Sequence, residues 1–191
     1  MRVVAGTAKG LPLKAVPGTS TRPTTDKVKE SVFNMIGPFF DGGIAVDLFA
    51  GSGGLGIEAL SRGIDRVIFT DKDRKAIETI RANLAKTKLQ ERAEVYKVEA
   101  ERAIKAMKKN GIQARLLFLD PPYHMEASYE LMDKAAEIGI MTEDSIVVCE
   151  HAKEVALGAE TKYFERFKHE PYGSTIISIY RFKGEEGEEI E

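Results

Sequence analysis

The chain has 191 residues, 43% of them hydrophobic and 30% charged, with a formal net charge of −2. That composition describes a globular protein with apolar material for a substantial core, not a fibrous or disordered one. The apolar runs are too short to span a bilayer, no signal-peptide apolar region opens the chain, and a single cysteine excludes an internal disulfide, so a cytoplasmic protein is expected.

Charge is unevenly spread. Residues 1–30 carry Arg2, Lys9, Lys14, Arg22, Lys27 and Lys29 against Asp26 and Glu30, whereas residues 183–191 set Lys183 against five glutamates. The basic end reads either as a solvated surface or as an arm for phosphates, with Arg2, Lys9, Arg22, Lys27 and Lys29 as candidate contacts.

In chain order, residues 2–5 and 11–16 read as short strands of a small hairpin around Gly6 and Lys9-Gly10. Thr24 or Thr25 caps an expected helix to about Ile36, with Val28, Val32, Phe33 and Ile36 on one face. Strands then alternate with helices: strands at 44–49, 66–70, 93–98, 116–119 and 145–149, and helices at 55–61, 73–86, 100–109 and 128–138. Alternation of this kind predicts parallel βαβ units. The segments 161–168 and 175–181 predict a closing antiparallel hairpin, joined through residues 169–173. The expected fold class is α/β, Rossmann-like: a mostly parallel seven-stranded sheet ending in an antiparallel hairpin, with a small N-terminal hairpin and helix. The expected domains are a basic extension (1–40), a Rossmann-like domain (41–183) and a disordered acidic tail (184–191). Cys149, Tyr163, Phe164 and Phe167 read as packing residues. His124, His151 and His169 are too scattered for a metal site, and none is expected.

Two stretches carry chemistry. Asp47-Leu48-Phe49-Ala50-Gly51-Ser52-Gly53-Gly54-Leu55-Gly56 lies at a strand-to-helix junction, where glycines allow a ligand to approach the backbone and the helix start offers N–H groups. Asp71 ends the next strand, placed to meet a ribose, and Glu99 follows the third strand, placed to meet an adenine amine. The candidate cofactor residues are Asp47, Phe49, Ala50, Gly51, Ser52, Gly53, Asp71, Lys72, Glu99, Ala100 and Asp120. A glycine-rich turn with a capping Asp71 is the plain alternative. The literal Gly-x-Gly-x-x-Gly spacing also admits an NAD-dependent oxidoreductase, although Asp47 would repel a pyrophosphate and no Tyr-x-x-x-Lys pair is present.

The second stretch is Asp120-Pro121-Pro122-Tyr123, after the apolar run 116–119. The Asp120 carboxylate and the Pro121 carbonyl can accept both N–H groups of an exocyclic amine. The prolines stiffen the turn, and Tyr123 can lie on the base face. These four are the candidate catalytic residues. An ordinary strand-ending turn is the alternative.

Together these motifs resemble S-adenosylmethionine-dependent amino-methyltransferases. Residues 22–34, Arg-Pro-Thr-Thr-Asp-Lys-Val-Lys-Glu-Ser-Val-Phe-Asn, with the opening Arg2 to Gly6, Lys9-Gly10 and the Tyr172-Gly173 hairpin, are similar to the bacterial RsmD family. The resemblance implies S-adenosylmethionine as cofactor and methylation of guanine N2 in 16S ribosomal RNA, free or within a 30S particle. It also implies in-line methyl transfer, with Asp120 and Pro121 holding the amine, and favours a monomer. A DNA adenine-N6 methyltransferase would share the Asp-Pro-Pro-Tyr chemistry but would ordinarily carry a recognition domain for which this chain has little room. A non-catalytic RNA-binding module would not need an intact Asp120 turn.

Overall fold

A computed structural model describes residues 1–18 and 24–184. Its seven strands form one sheet, and the chain divides into two compact units, Met1–Ala103 and Ile104–Glu191. The expected acidic tail lies, apart from Gly184, outside the described residues.

The first unit contains α1 (Asp26–Ile36), β1 (Ile44–Asp47), α2 (Gly54–Ser61), β2 (Arg66–Asp71), α3 (Arg74–Thr87) and β3 (Ala93–Lys97). The strands run parallel in the order β3-β2-β1. Val67 to Thr70 are all buried, as expected for a parallel strand covered on both faces. Gly56 lets α2 sit directly on β2: a Cβ there would lie 2.3 Å from the Phe69 ring. Helix α1 starts where expected, with the Thr25 hydroxyl accepting from Val28 N–H. Its buried face differs, however. Lys29, Val32 and Phe33 are buried, and Val28 and Ile36 are only half-buried.

The N-terminal segment is a short ribbon held by an isolated antiparallel bridge between Arg2 and Pro12, rather than two regular strands. Its attachment to α2 explains the buried lysine. Glu58, with no exposure, accepts from Val4 N–H at 2.8 Å, Ala5 N–H at 3.1 Å and Arg62 Nε at 2.9 Å. Lys29 Nζ lies 3.2 Å from the same carboxylate and donates to the Arg2 carbonyl at 2.5 Å. Burial holds the Lys29 ammonium below its ordinary pKa, and the Glu58 charge opposes that shift. A buried carboxylate with this many donors is satisfied, and removing it would take an acceptor from each of them.

Helix α4 (Ala100–Lys109) begins in the first unit and ends in the second, which then contains β4 (Ala114–Leu119), a 3-10 turn (Glu126–Glu130), α5 (Leu131–Glu137), β5 (Met141–Ala152), β6 (Phe164–Tyr172) and β7 (Thr175–Phe182). The order is β4-β5-β7-β6, with β4 and β5 parallel and β7 antiparallel to both its neighbours. Three details depart from the sequence reading. Strand β5 starts four residues earlier, through polar Thr142–Asp144, where no apolar alternation marks it. The expected helix at 128–138 is a 3-10 turn followed by a shorter helix. The closing hairpin turns on Gly173-Ser174 alone, because β6 continues through Pro171. That proline is tolerated because β6 is an edge strand.

Candidate active site

In the first unit the chain leaves β1 at Asp47 and enters α2 at Gly54. The intervening loop is pinned from several sides. Ala50 N–H donates to the Thr70 carbonyl at 3.0 Å, Gly53 N–H to the Ala50 carbonyl at 2.8 Å, and Thr70 Oγ1 to the Leu48 carbonyl at 2.9 Å. Gly51 and Gly53 have φ of 56° and 84°, the left-handed region that glycine enters freely.

Two acids at strand ends, Asp47 and Asp71, take N–H groups of the loop and its surroundings. Asp71 Oδ2 accepts from Gly51 N–H at 3.0 Å, and Oδ1 accepts from Asp73 N–H at 2.9 Å. Asp47 is 2% exposed and lies where Phe49 and Gly56 N–H reach it. Burial first, and the Asp71 charge second, push its carboxyl up to about 7, while those two N–H groups pull the other way. The helix start therefore presents a buried acid where a pyrophosphate would need open N–H groups. That arrangement opposes a dinucleotide and suits a ligand carrying positive charge.

Of the sequence candidates, Asp47, Phe49, Ala50, Gly51, Ser52, Gly53 and Asp71 come together in this loop. Lys72 and Glu99 are exposed and Ala100 is buried, after the carboxyl ends of β2 and β3. No sequence signal pointed to Asn83, which is fully buried on α3 and donates to the Ser52 carbonyl at 2.9 Å.

In the second unit Asp120 stands one residue beyond β4, exposed, with Pro121 buried beneath it. The Pro122 carbonyl accepts from Met125 N–H at 2.8 Å, closing the turn that leads into the 3-10 segment. Tyr123 is 75% exposed, a large aromatic left uncovered at a strand end. Tyr129 is buried and donates from its hydroxyl to the Glu150 carbonyl at 2.5 Å. Burial, and then the Asp120 charge, raise its phenol pKa, which places the two side chains within electrostatic reach. Tyr129 also packs edge-on against His151, and Ser178 Oγ lies 2.8 Å from His151 Nε2 and 3.1 Å from His169 Nδ1. These two histidines belong to a packed network.

Among the candidate RNA contacts, Arg2, Lys9 and Lys27 are exposed. Lys29 is not available to a phosphate, because its ammonium is buried against Glu58 and the Arg2 carbonyl; the sequence reading is corrected here. Arg22 lies outside the described residues. Among the described residues no group of His, Cys, Asp or Glu could hold a metal, and no helix is long and apolar enough to cross a membrane.

Comparison with known proteins gives the family. The family described as "Conserved hypothetical protein 95" matches residues 1–181. The chain is 52% identical over 184 residues to a Bacillus subtilis protein provisionally named rRNA methyltransferase YlbH, covering 96% of this chain and 100% of that protein. It is 32% identical over 158 residues to the Haemophilus influenzae "Ribosomal RNA small subunit methyltransferase D", covering 82% of this chain and 81% of that protein. A solved structure from Escherichia coli, provisionally described as methyltransferase yhhF, is 28% identical, with a TM-score of 0.81 over 97% of this chain and 99% of that one. The chain thus belongs to the Conserved hypothetical protein 95 family, the RsmD family of methyltransferases.

Proposed function

We propose that this protein is an S-adenosylmethionine-dependent methyltransferase that modifies small-subunit ribosomal RNA, and that its target is the exocyclic N2 of a guanine in 16S RNA. The relatives' names support the ribosomal RNA class. The observation that carries the reading to a base amine is the Asp120-Pro121-Pro122-Tyr123 turn, in which Asp120 and the aromatic Tyr123 are exposed.

The loop residues fit the cofactor. S-adenosylmethionine, when bound, supplies a methyl group on a positively charged sulfur, next to an ammonium and an adenosine. Asp47, whose burial makes its negative charge costly, gains most from a positive group nearby. Asp71 uses two lone pairs on backbone N–H groups and keeps others for ribose hydroxyls. Glu99 is exposed and able to accept from an adenine amine.

At the other half of the reaction, Asp120 accepts one N–H of the guanine amine, and the Pro121 carbonyl accepts the second. Two acceptors draw the nitrogen out of conjugation with the ring, and the Asp120 charge favours the positive charge that develops on it. Tyr123 stacks on the extruded base, offsetting part of an unstacking cost of roughly a few kcal/mol. No strong base is required, because the methylated amine is very acidic. Exposed Arg2, Lys9 and Lys27 supply phosphate contacts, with Arg22 as a further contact. The partner is 16S RNA, free or within a 30S particle, met by a monomer in the cytoplasm.

The test is methyl transfer from labelled S-adenosylmethionine to 16S RNA, 30S subunits or duplex DNA, followed by nucleoside analysis. N2-methylguanosine is expected from one of the ribosomal substrates. Label in adenine, or no label in nucleic acid, overturns the proposal.

A further inference from the structure

Asn83 makes three hydrogen bonds from a fully buried position on α3. Its Oδ1 accepts from Lys14 N–H at 2.8 Å, and its Nδ2 donates to the Lys14 carbonyl at 3.0 Å and to the Ser52 carbonyl at 2.9 Å. One amide thus grips both backbone groups of a residue in the N-terminal segment and one carbonyl of the cofactor loop. The orientation of the amide is fixed by chemistry: flipped, its oxygen would face two carbonyl oxygens and its nitrogen an N–H. Neither aspartate nor alanine can replace these bonds. Aspartate turns both donations into repulsions, and alanine orphans three backbone groups.

The contact reaches further than one residue. Beyond Lys14 the chain stays within reach of α3 side chains. A Cβ built on Gly18 would lie 3.8 Å from Lys75 Nζ. At the other end of the ribbon, Ser61 Oγ donates to the Ala5 carbonyl at 2.6 Å and accepts from Ala8 N–H at 2.9 Å. The segment that carries exposed Lys9 and Lys14 is therefore anchored on both sides, to α2 through Ser61 and, through Asn83, to the residue that also holds the loop.

We propose that Asn83 is a positioning residue that joins the cofactor loop and the basic N-terminal segment into one mechanical unit, so that cofactor and RNA strengthen each other's binding. The Ser52 carbonyl sets the plane of the Ser52–Gly53 peptide, where Gly53 turns into α2. A cofactor seated on that peptide fixes Asn83, and Asn83 fixes Lys14. Linkage requires the effect to be reciprocal: the factor by which RNA tightens the cofactor equals the factor by which the cofactor tightens RNA. This inference rests on the methyltransferase reading above.

The experiment measures S-adenosylhomocysteine binding by calorimetry, with and without a 16S RNA fragment, in the wild-type protein, Asn83→Asp, Asn83→Ala and Ser61→Ala. The Asn83 variants are expected to bind S-adenosylhomocysteine roughly three- to tenfold more weakly and to lose the enhancement by RNA. Ser61→Ala, which loosens the ribbon without touching the loop, should lose urea stability yet keep S-adenosylhomocysteine affinity within twofold. Equal affinity losses in Asn83→Ala and Ser61→Ala, or none in either, overturn the role. Hydrogen exchange in the wild-type protein keeps the test alive if the Asn83 variants do not fold. S-adenosylhomocysteine should slow exchange at Lys14 N–H, and unchanged exchange there overturns the coupling. A wild-type protein that binds no S-adenosylhomocysteine sinks the methyltransferase reading as well. One that binds it with Lys14 unmoved sinks the coupling alone.

Discussion

The charge of Asp71 pushes up the pKa of buried Asp47, and both carboxylates take N–H groups from the same glycine loop. Burial first, and the Asp71 charge second, hold the Asp47 proton to about pH 7 in the folded protein, well above the ordinary carboxylate range. The folded state binds that proton between pH 4 and 7, where the unfolded state does not. Stability from this group is thus fully present below pH 4, falls as pH rises to 7, and is flat above. A bound cation favours the ionised form, so S-adenosylhomocysteine affinity should fall about tenfold per pH unit below pH 7 and level off above it. Calorimetry in buffers of different ionisation enthalpy should show proton release on binding at pH 6. Asp47→Asn should abolish that release, weaken binding at pH 8, and raise unfolding stability at pH 8 by roughly 2–4 kcal/mol, with little gain at pH 4. Pocket affinity that ignores pH would remove Asp47 from the cofactor site.

Asp120 supplies both an acceptor and a charge, and two substitutions separate them. Asp120→Asn keeps an oxygen for one amine N–H but loses the charge, and turnover should fall about tenfold. Asp120→Ala loses both, and turnover should fall roughly 100- to 1000-fold. Since the turn lies outside the glycine loop, S-adenosylhomocysteine affinity should stay within threefold in either variant. Single-turnover methylation with saturating cofactor measures this directly.

Tyr123 is 75% exposed, so little folding energy depends on it. Tyr123→Ala should leave urea stability within about 0.5 kcal/mol of wild type. It should nevertheless raise KM for RNA, because base–aromatic stacking contributes roughly 1–3 kcal/mol. Tyr123→Phe keeps the ring and should behave as wild type. If the phenylalanine variant fails like the alanine one, the hydroxyl and not the stack carries the function.

The residues that were legible in the sequence are those whose place in the fold follows from local position. Asp47, Gly51, Gly53, Asp71 and Asp120 sit at or just beyond strand ends, where a parallel α/β sheet gathers its ligands, and the alternation of strands and helices located those ends to within a residue or two. Asn83, Glu58 and Tyr129 act through distant partners. The Glu58 bond to Val4 spans 54 residues and the Asn83 bond to Lys14 spans 69. No periodicity encodes such a contact. One clue was present for Glu58, a lone charge inside the otherwise apolar α2, four residues before Arg62. Lys29 was misread for the converse reason: between exposed Lys27 and Glu30 it looks like a surface lysine, and only the arrival of Glu58 and the Arg2 carbonyl makes its burial tolerable.

That arrangement separates Lys29 from its neighbour Lys27 by experiment. Glu58→Ala should be the most damaging change, roughly 3–5 kcal/mol, because Lys29 and Arg62 lose their counter-charge and Val4 and Ala5 N–H lose their acceptor. Lys29→Met should cost less, roughly 1–3 kcal/mol, since Arg62 still neutralises Glu58 and only the Arg2 carbonyl and one carboxylate contact are left short. Neither the charge nor the position of Lys29 reaches solvent, so Lys29→Met, assayed well below its unfolding midpoint, should leave the salt dependence of RNA binding unchanged. Lys27→Ala should do the reverse: stability stays within about 0.5 kcal/mol, while the slope of log affinity against log salt drops by nearly one, the loss of a single phosphate contact. A Lys29 variant that folds normally and loses that slope would mean the lysine leaves Glu58 to meet RNA.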